Sequence, residues 1–135
     1  MSEAPLFRFK VRVYWEDTDA AGIVYYANYL RFLERARTEW LRVRGYDQQA
    51  LASRHAVVFV VRSIALDFLR PARLDDELEV SVELKRLRSA SIELGQRIER
   101  AGECLVSADL KLACVRIATV QPARIPRELR DVIIG

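Results

Sequence analysis

An α+β fold, with an antiparallel sheet curled around one long helix, is what this sequence predicts. Three patterns predict it. One stretch, Tyr25 to Val43, repeats apolar residues at three- and four-residue steps. Before it runs a segment of strict period-two alternation. After it come four further strand-like segments separated by short turns. A single helix beside a run of strands must bury its apolar stripe against the sheet they form. The 135 residues are expected to make one domain, residues 1–135, with a real but small core.

The first strand rests on Phe7, Phe9, Val11, Val13 and Trp15, which alternate with Arg8, Lys10, Arg12 and Tyr14. If it persists, Asp17 and Asp19 continue the odd series and share its buried side. A turn follows at Ala20-Ala21-Gly22. In the helix, Tyr26, Tyr29, Leu30, Leu33, Ala36, Trp40 and Leu41 form one apolar face. Arg31, Glu34, Arg35, Thr38, Glu39 and Arg42 fill most of the remainder and read as an ion-paired surface. Phe32 falls off the stripe, where a partner could meet it. Gly45 is a helix stop.

Asp47 to His55 reads as a short helix or loop, with His55 structural or exposed. Val57 to Arg70 is a long strand, apolar on both faces through Val57–Val61, Ile64 and Leu66. One helix covers one face of a sheet, so part of the other face is expected to meet a second subunit. Pro71 ends that strand and opens a turn to Asp76. Leu78, Val80, Val82 and Leu84 mark the next strand, and Arg86–Ala90 the turn after it. Ile92, Leu94 and Ile98 mark another strand, with a hairpin turn at Ala101-Gly102-Glu103. Val106 to Cys114 is the last strand, and Pro126 to Val132 a short terminal helix.

Composition narrows the chemistry. A 51% hydrophobic and 30% charged content is that of a globular protein, with formal net charge +3 and pI about 9.1. Arginines are scattered along the chain and no basic run is interleaved with aromatics, which argues against nucleic acid; the charge reads either as a solvated, mildly basic surface or as a match to an anionic ligand such as a nucleotide phosphate. Cys104 and Cys114 fall on one strand, roughly 33 Å apart at strand rise, too far for a disulfide. Met1 to Arg8 holds no apolar signal core, and no run could span a bilayer. The cytoplasm is the expected compartment. One histidine, no G-x-S-x-G elbow, no metal-ligand spacing and five scattered glycines leave no metal site, no cofactor and no phosphate loop to expect. Carboxylates and backbone dipoles must carry any catalysis.

The stretch Trp15 to Leu30 supplies both. A carboxylate at the strand end and free N–H groups at the helix start face one small volume, which suits a developing negative charge in acyl transfer. From spacing alone, Asp17 and Asp19 are either catalytic or turn and cap residues, and Glu34 is a second, helix-borne carboxylate.

Tyr14-Trp-Glu-Asp-Thr-Asp-Ala-Ala-Gly-Ile-Val-Tyr-Tyr-Ala-Asn-Tyr29, followed by Glu34-Arg-Ala-Arg37, resembles the signature of hotdog-fold acyl-CoA thioesterases of the hydroxybenzoyl-CoA thioesterase type. The nearest resemblance is to their Tol–Pal-associated, YbgC-type branch. Phe59-Val-Val-Arg62, Pro71-Ala-Arg-Leu-Asp-Asp76 and Ala113-Cys-Val115 extend it from about Leu6 to Leu129. The resemblance implies a hotdog fold and hydrolysis of acyl-CoA to free acid and coenzyme A. It implies Asp19 as general base or nucleophile and the Tyr26 N–H as the group polarising the thioester carbonyl. Gly22, Val24, Tyr25 and Arg62 would bind substrate, and Arg86 and Arg88 would meet coenzyme A phosphates. It also implies a homodimer, often paired into a homotetramer, with sites at the interface. Where this chain has Tyr26 the branch often has histidine, which leaves the backbone role intact. Acyl carrier protein is an alternative donor, and a non-hydrolytic acyl-CoA or acyl-carrier-protein binding module the alternative function. Peripheral association with the inner membrane is compatible with this reading.

Overall fold

The computed structural model describes residues 6–135. The reading of the chain's start for a leader falls largely on residues 1–5, outside that range. Strands β1 (Phe7–Arg12), β2 (Val57–Phe68), β3 (Glu77–Leu87), β4 (Ser91–Arg100) and β5 (Glu103–Arg116) accompany helices α1 (Asn28–Arg42), α2 (Gln48–His55) and α3 (Arg127–Ile134). The strands form one antiparallel sheet in the order β1-β3-β4-β5-β2.

Strands β3, β4 and β5 pair in sequence, as short turns require. Strand β2 does not join them next to β3; it pairs with β5 at the far edge. The reason is the connection from Leu69 to Asp76. It passes the N-terminal end of α1, where the Ala72 N–H donates to the Tyr29 hydroxyl at 2.9 Å, and so carries the chain across the sheet instead of folding back.

Cross-strand rows show how the sheet cradles α1. Phe9, Val80, Ile98, Val106 and Phe68 stand in one row across all five strands. Leu87, Ile92, Leu112 and Val61 make another. Against these rows Phe32, Leu33 and Ala36 are fully buried, and each large side chain so buried contributes roughly 1.5–3 kcal/mol. Phe32 therefore meets the sheet of its own chain, not a partner; the curled sheet covers a wider arc of helix than a narrow stripe would need.

The two-faced reading of β2 also needs revision. A register shift between Val61 and Ser63 makes Arg62 a bulge. Without it Val57, Phe59 and Val61 would face opposite to Ile64, Leu66 and Phe68. With it all six face the helix side. Val58 and Val60 remain on the outer face, and Val60, Val61, Ile64 and Phe68 are exposed. A second shift, between Leu84 and Arg86, lets β3 run on to Leu87, so Arg86 lies in a strand and not in the turn expected there.

Strand β1 stops earlier than its alternation implied. Trp15–Asp17 form a 3-10 turn, closed by Thr18 N–H to Trp15 O at 3.0 Å. Trp15 is thrown outward, 82% exposed. Cys104 and Cys114 are free, both on β5. Among the described residues no helix is long and apolar enough to cross a membrane.

Candidate active site at the tip of the central helix

The 3-10 turn separates the two aspartates. Asp17 is buried, 6% exposed, and its carboxylate is fully engaged. One oxygen accepts the Tyr14 N–H at 2.8 Å and the other the Asn28 side-chain amide at 2.5 Å. Asp17 thus ties the end of the first strand to the first residue of α1. Asp19 is exposed. The expectation that both share a buried face fails, because the 3-10 turn changes the residue period from two to three over this stretch.

Asp19 heads a tight hairpin. Its N–H donates to Ile23 O at 2.9 Å and its O accepts the Gly22 N–H at 3.1 Å, while Oδ1 accepts the Ala21 N–H at 2.9 Å. Oδ2 has no partner among the described residues. Gly22, at φ +76°, supplies the left-handed turn residue. Thr18 pairs with Val24, and Tyr25 N–H donates to Asp17 O at 3.0 Å. The hairpin leans on the Pro71–Asp76 turn through Ile23 with Arg73 and through Val24 N–H to Ala72 O at 2.8 Å.

The chain then enters α1. Asn28 N–H bonds Tyr25 O and Tyr29 N–H bonds Tyr26 O. The N–H groups of Tyr26 and Ala27 find no acceptor among the described residues. These are the free donors that a helix start leaves over. Beside them lies a hollow of about 310 Å³ walled by Ile23, Val24, Tyr26, Tyr29, Phe68, Leu69, Arg70 and Pro71. Tyr26 meets Phe68 edge-on at 6.2 Å, and Tyr29 meets it at 5.8 Å. Burial raises the Tyr29 phenol above its usual range, while the Ala72 N–H opposes the shift.

Of the residues expected at the site, Val24 and Tyr26 line this hollow, and Asp19 stands beside its wall through Ile23. Gly22 shapes the turn. Tyr25 is half exposed, with its ring 4.9 Å from that of Tyr26. Arg62, Arg86 and Arg88 are not brought here by their own chain. Arg86 lies nine residues along β3 from Glu77, about 30 Å at strand rise. It shares an outer-face row with Glu93, Lys111 and Ser63. Arg88 is engaged by Glu93 at 2.9 Å, which holds the Glu93 carboxyl below its ordinary range. Tyr29, Phe68 and Pro71 escaped the sequence reading as wall residues. Their only signal is the proline ending an apolar strand, and nothing local says that this turn lands on the helix tip.

A second cavity, about 270 Å³, lies along the β2 side of α1, between Glu34, Arg37, Thr38, Leu41, Asp47, Gln48, Phe59, Val61 and Leu112. The expected ion-paired helix surface is not there in that form. Arg42 pairs with Glu39 at 2.7 Å, but among the described residues Glu34 makes no hydrogen bond or ion pair. Arg37 turns inward to the Gln96 side-chain oxygen at 3.1 Å, and Gln96 in turn donates to Leu33 O at 3.1 Å. Burial lowers the affinity of the Arg37 guanidinium for its proton, and the charge of Glu34 partly offsets this.

Comparison with known proteins agrees with this architecture. A model of the thioesterase-like superfamily matches residues 13–133. The acyl-CoA thioesterase YbgC of Haemophilus influenzae is 44% identical over 92% of this chain and 91% of its own length. The acyl-CoA thioester hydrolase YbgC of Escherichia coli is 45% identical over 92% of each chain. A probable thioesterase from Bartonella henselae superposes with TM-score 0.86 at 37% identity, over 90% of this chain and all of that one. A curled sheet around one helix, a D-T-D turn at that helix's tip and these likenesses together make the chain a member of the thioesterase-like superfamily, of hotdog fold and YbgC type.

Proposed function

We propose that the protein hydrolyses the thioester of acyl-CoA, releasing free acid and coenzyme A, at the tip of α1. The observation that carries the proposal is the pair of unpartnered N–H groups of Tyr26 and Ala27, next to a hollow that Tyr26 lines, with Asp19 in the hairpin whose Ile23 and Val24 wall that hollow and with its Oδ2 unpaired. A thioester carbonyl directed at the Tyr26 N–H would gain negative charge as it is attacked, and the helix dipole favours that charge. Asp19 acts on the carbonyl carbon, either by taking a proton from an attacking water or by attacking directly to give a mixed anhydride. Collapse of the tetrahedral intermediate expels the coenzyme A sulfur, which takes up a proton. A single turnover in ¹⁸O-water tests the nucleophilic route: label in the Asp19 carboxylate shows that water has opened a mixed anhydride at the aspartyl carbonyl.

The working unit proposed is a dimer joined at β2. This strand is a sheet edge whose Val60, Val61, Ile64 and Phe68 are exposed, and such an edge is a template for pairing. An antiparallel β2 pair would set the arginine end of one protomer along the Asp19 end of the other. That pairing would bring Arg62 and Arg86, which make no ion pair among the described residues, toward the coenzyme A phosphates bound at the partner's helix tip. The free cysteines fit the reducing cytoplasm as the compartment.

Free thiol release from a panel of acyl-CoAs tests the activity; binding without thiol release would instead mark a binding module. Asp19→Asn is expected to keep the fold and lose on the order of 100-fold or more in kcat. A folded Asp19→Asn protein with near-normal turnover would overturn the assignment.

A further inference from the structure

Helices α1 and α2 start differently. Asp47 caps α2, its Oδ1 accepting the Ala50 N–H at 2.7 Å, as an aspartate at the head of a helix commonly does. At α1 the cap position is Ala27, and no side chain caps the helix. Yet an aspartate lies against this start. Asp17 O accepts the Tyr25 N–H at 3.0 Å, and Asp17 Oδ1 accepts the Asn28 side-chain amide at 2.5 Å. The buried Asp17 therefore bonds the residues on either side of Tyr26 and Ala27 and takes neither of their N–H groups.

A carboxylate beside an uncapped helix start gains by turning onto its N–H groups, through a charge-assisted hydrogen bond and through the helix dipole. In Asp17 one oxygen is committed elsewhere, since Oδ2 accepts the Tyr14 N–H at 2.8 Å. Oδ1 is the oxygen left to turn, and the Asn28 amide holds it. Asn28 is suited to this. It is buried, its backbone N–H is fixed on Tyr25 O at 2.8 Å, and its side chain offers a donor without adding charge.

We infer that Asn28 is a positioning residue that keeps the Asp17 carboxylate from capping α1, and so leaves the Tyr26 and Ala27 N–H groups open to substrate. This rests on the proposed role of those groups as donors to the thioester oxygen. Asn28 acts through Asp17, which separates its effect from a structural one. Removing the Asn28 donor closes the site, and removing the capping power of Asp17 then opens it again.

The full-length Asn28→Leu variant keeps about the same bulk and lacks the donor. Amide hydrogen exchange followed by NMR reads the Tyr26 and Ala27 N–H groups directly. In Asn28→Leu one of the two is expected to exchange at least about tenfold more slowly than in the native chain, as a capped N–H does. A loosened structure would exchange faster. Turnover of acyl-CoA is expected to fall about tenfold or more in kcat, with KM nearly unchanged, because the covered donor is needed most in the transition state. In the double variant Asp17→Asn/Asn28→Leu, the new amide keeps an oxygen for the Tyr14 N–H and turns an NH2 group, which cannot cap, toward the helix. Both readings are then expected to return toward native values. Two structural injuries would compound instead.

Unchanged or faster exchange in folded Asn28→Leu, or a double variant worse than the single one, would overturn the inference. Asn28→Ala is read in the same way if circular dichroism shows Asn28→Leu unfolded; failure of both to fold would make Asn28 a structural residue and overturn it too. Exchange also keeps the two readings apart. Slowed exchange in Asn28→Leu, with no thiol release from the native chain, would sink the hydrolase and support the role of Asn28. Thiol release with unchanged exchange would sink only the inference.

Discussion

At the scale of single residues, two aspartates two positions apart have opposite surroundings. Asp17 is enclosed, with both oxygens engaged by Tyr14 and Asn28; Asp19 is exposed, with one oxygen unpaired. Asp17→Ala would leave two donors without acceptors at the junction of strand and helix. It is expected to destabilise by roughly 2–4 kcal/mol, which a denaturant titration would read, and any loss of turnover should follow the loss of folded protein. Asp19→Asn should show the reverse, a normal denaturation midpoint with lost turnover. The sequence presented both as candidates because side chains two apart on a strand share a face. The hydrogen bond from Tyr14 N–H to Asp17, which bends the chain out of that period, is invisible to alternation.

At the scale of elements, the Pro71–Asp76 turn does more than join β2 to β3. Ala72 receives α1 through Tyr29 and the Asp19 hairpin through Val24. Asp76 holds the turn closed, accepting the Arg73 N–H and the Arg100 guanidinium, each at 2.8 Å. Partial desolvation works against its charge, but those donors outweigh it and keep its carboxyl below the ordinary aspartate range. A carboxyl with a lowered folded-state pKa adds stability above the unfolded value of about 3.9, and that stability is lost as pH falls through the folded value. Unfolding midpoints measured from pH 5 downward are therefore expected to fall less steeply for Asp76→Asn than for the native chain. An identical acid slope would show that Asp76 contributes nothing to it. The turn itself was legible from Pro71; its docking on the helix tip was not, since Tyr29 and Ala72 are forty-three residues apart.

At the scale of the whole molecule, the proposed dimer would complete a site that one chain supplies only in part. The hollow of one chain opens beside Phe68 on an unpaired edge, and Arg86 lies at the far end of β3 from the turn on which the Asp19 hairpin leans. Ile64→Lys puts a charge on the helix-side face of that edge without touching the hairpin. It is expected to shift the chain toward monomer in sedimentation and to lower acyl-CoA turnover in parallel. A monomeric Ile64→Lys protein of full activity would place the whole site within one protomer.

The sequence by itself determined the long helix, the five strands and the D-T-D turn before that helix, though not where β1 ends or that β3 runs on through Arg86. These rest on period, on glycine and proline, and on contacts between near neighbours, all of which a linear pattern records. It also determined that the strands after the helix are long enough to wrap it. The tertiary structure decided which aspartate is buried, which edge β2 joins, and which way Arg37 turns. Each of those depends on a contact between residues far apart in the chain, Asp17 with Asn28, Leu69 with Leu105, Arg37 with Gln96, and periodicity carries no information about which distant groups will meet.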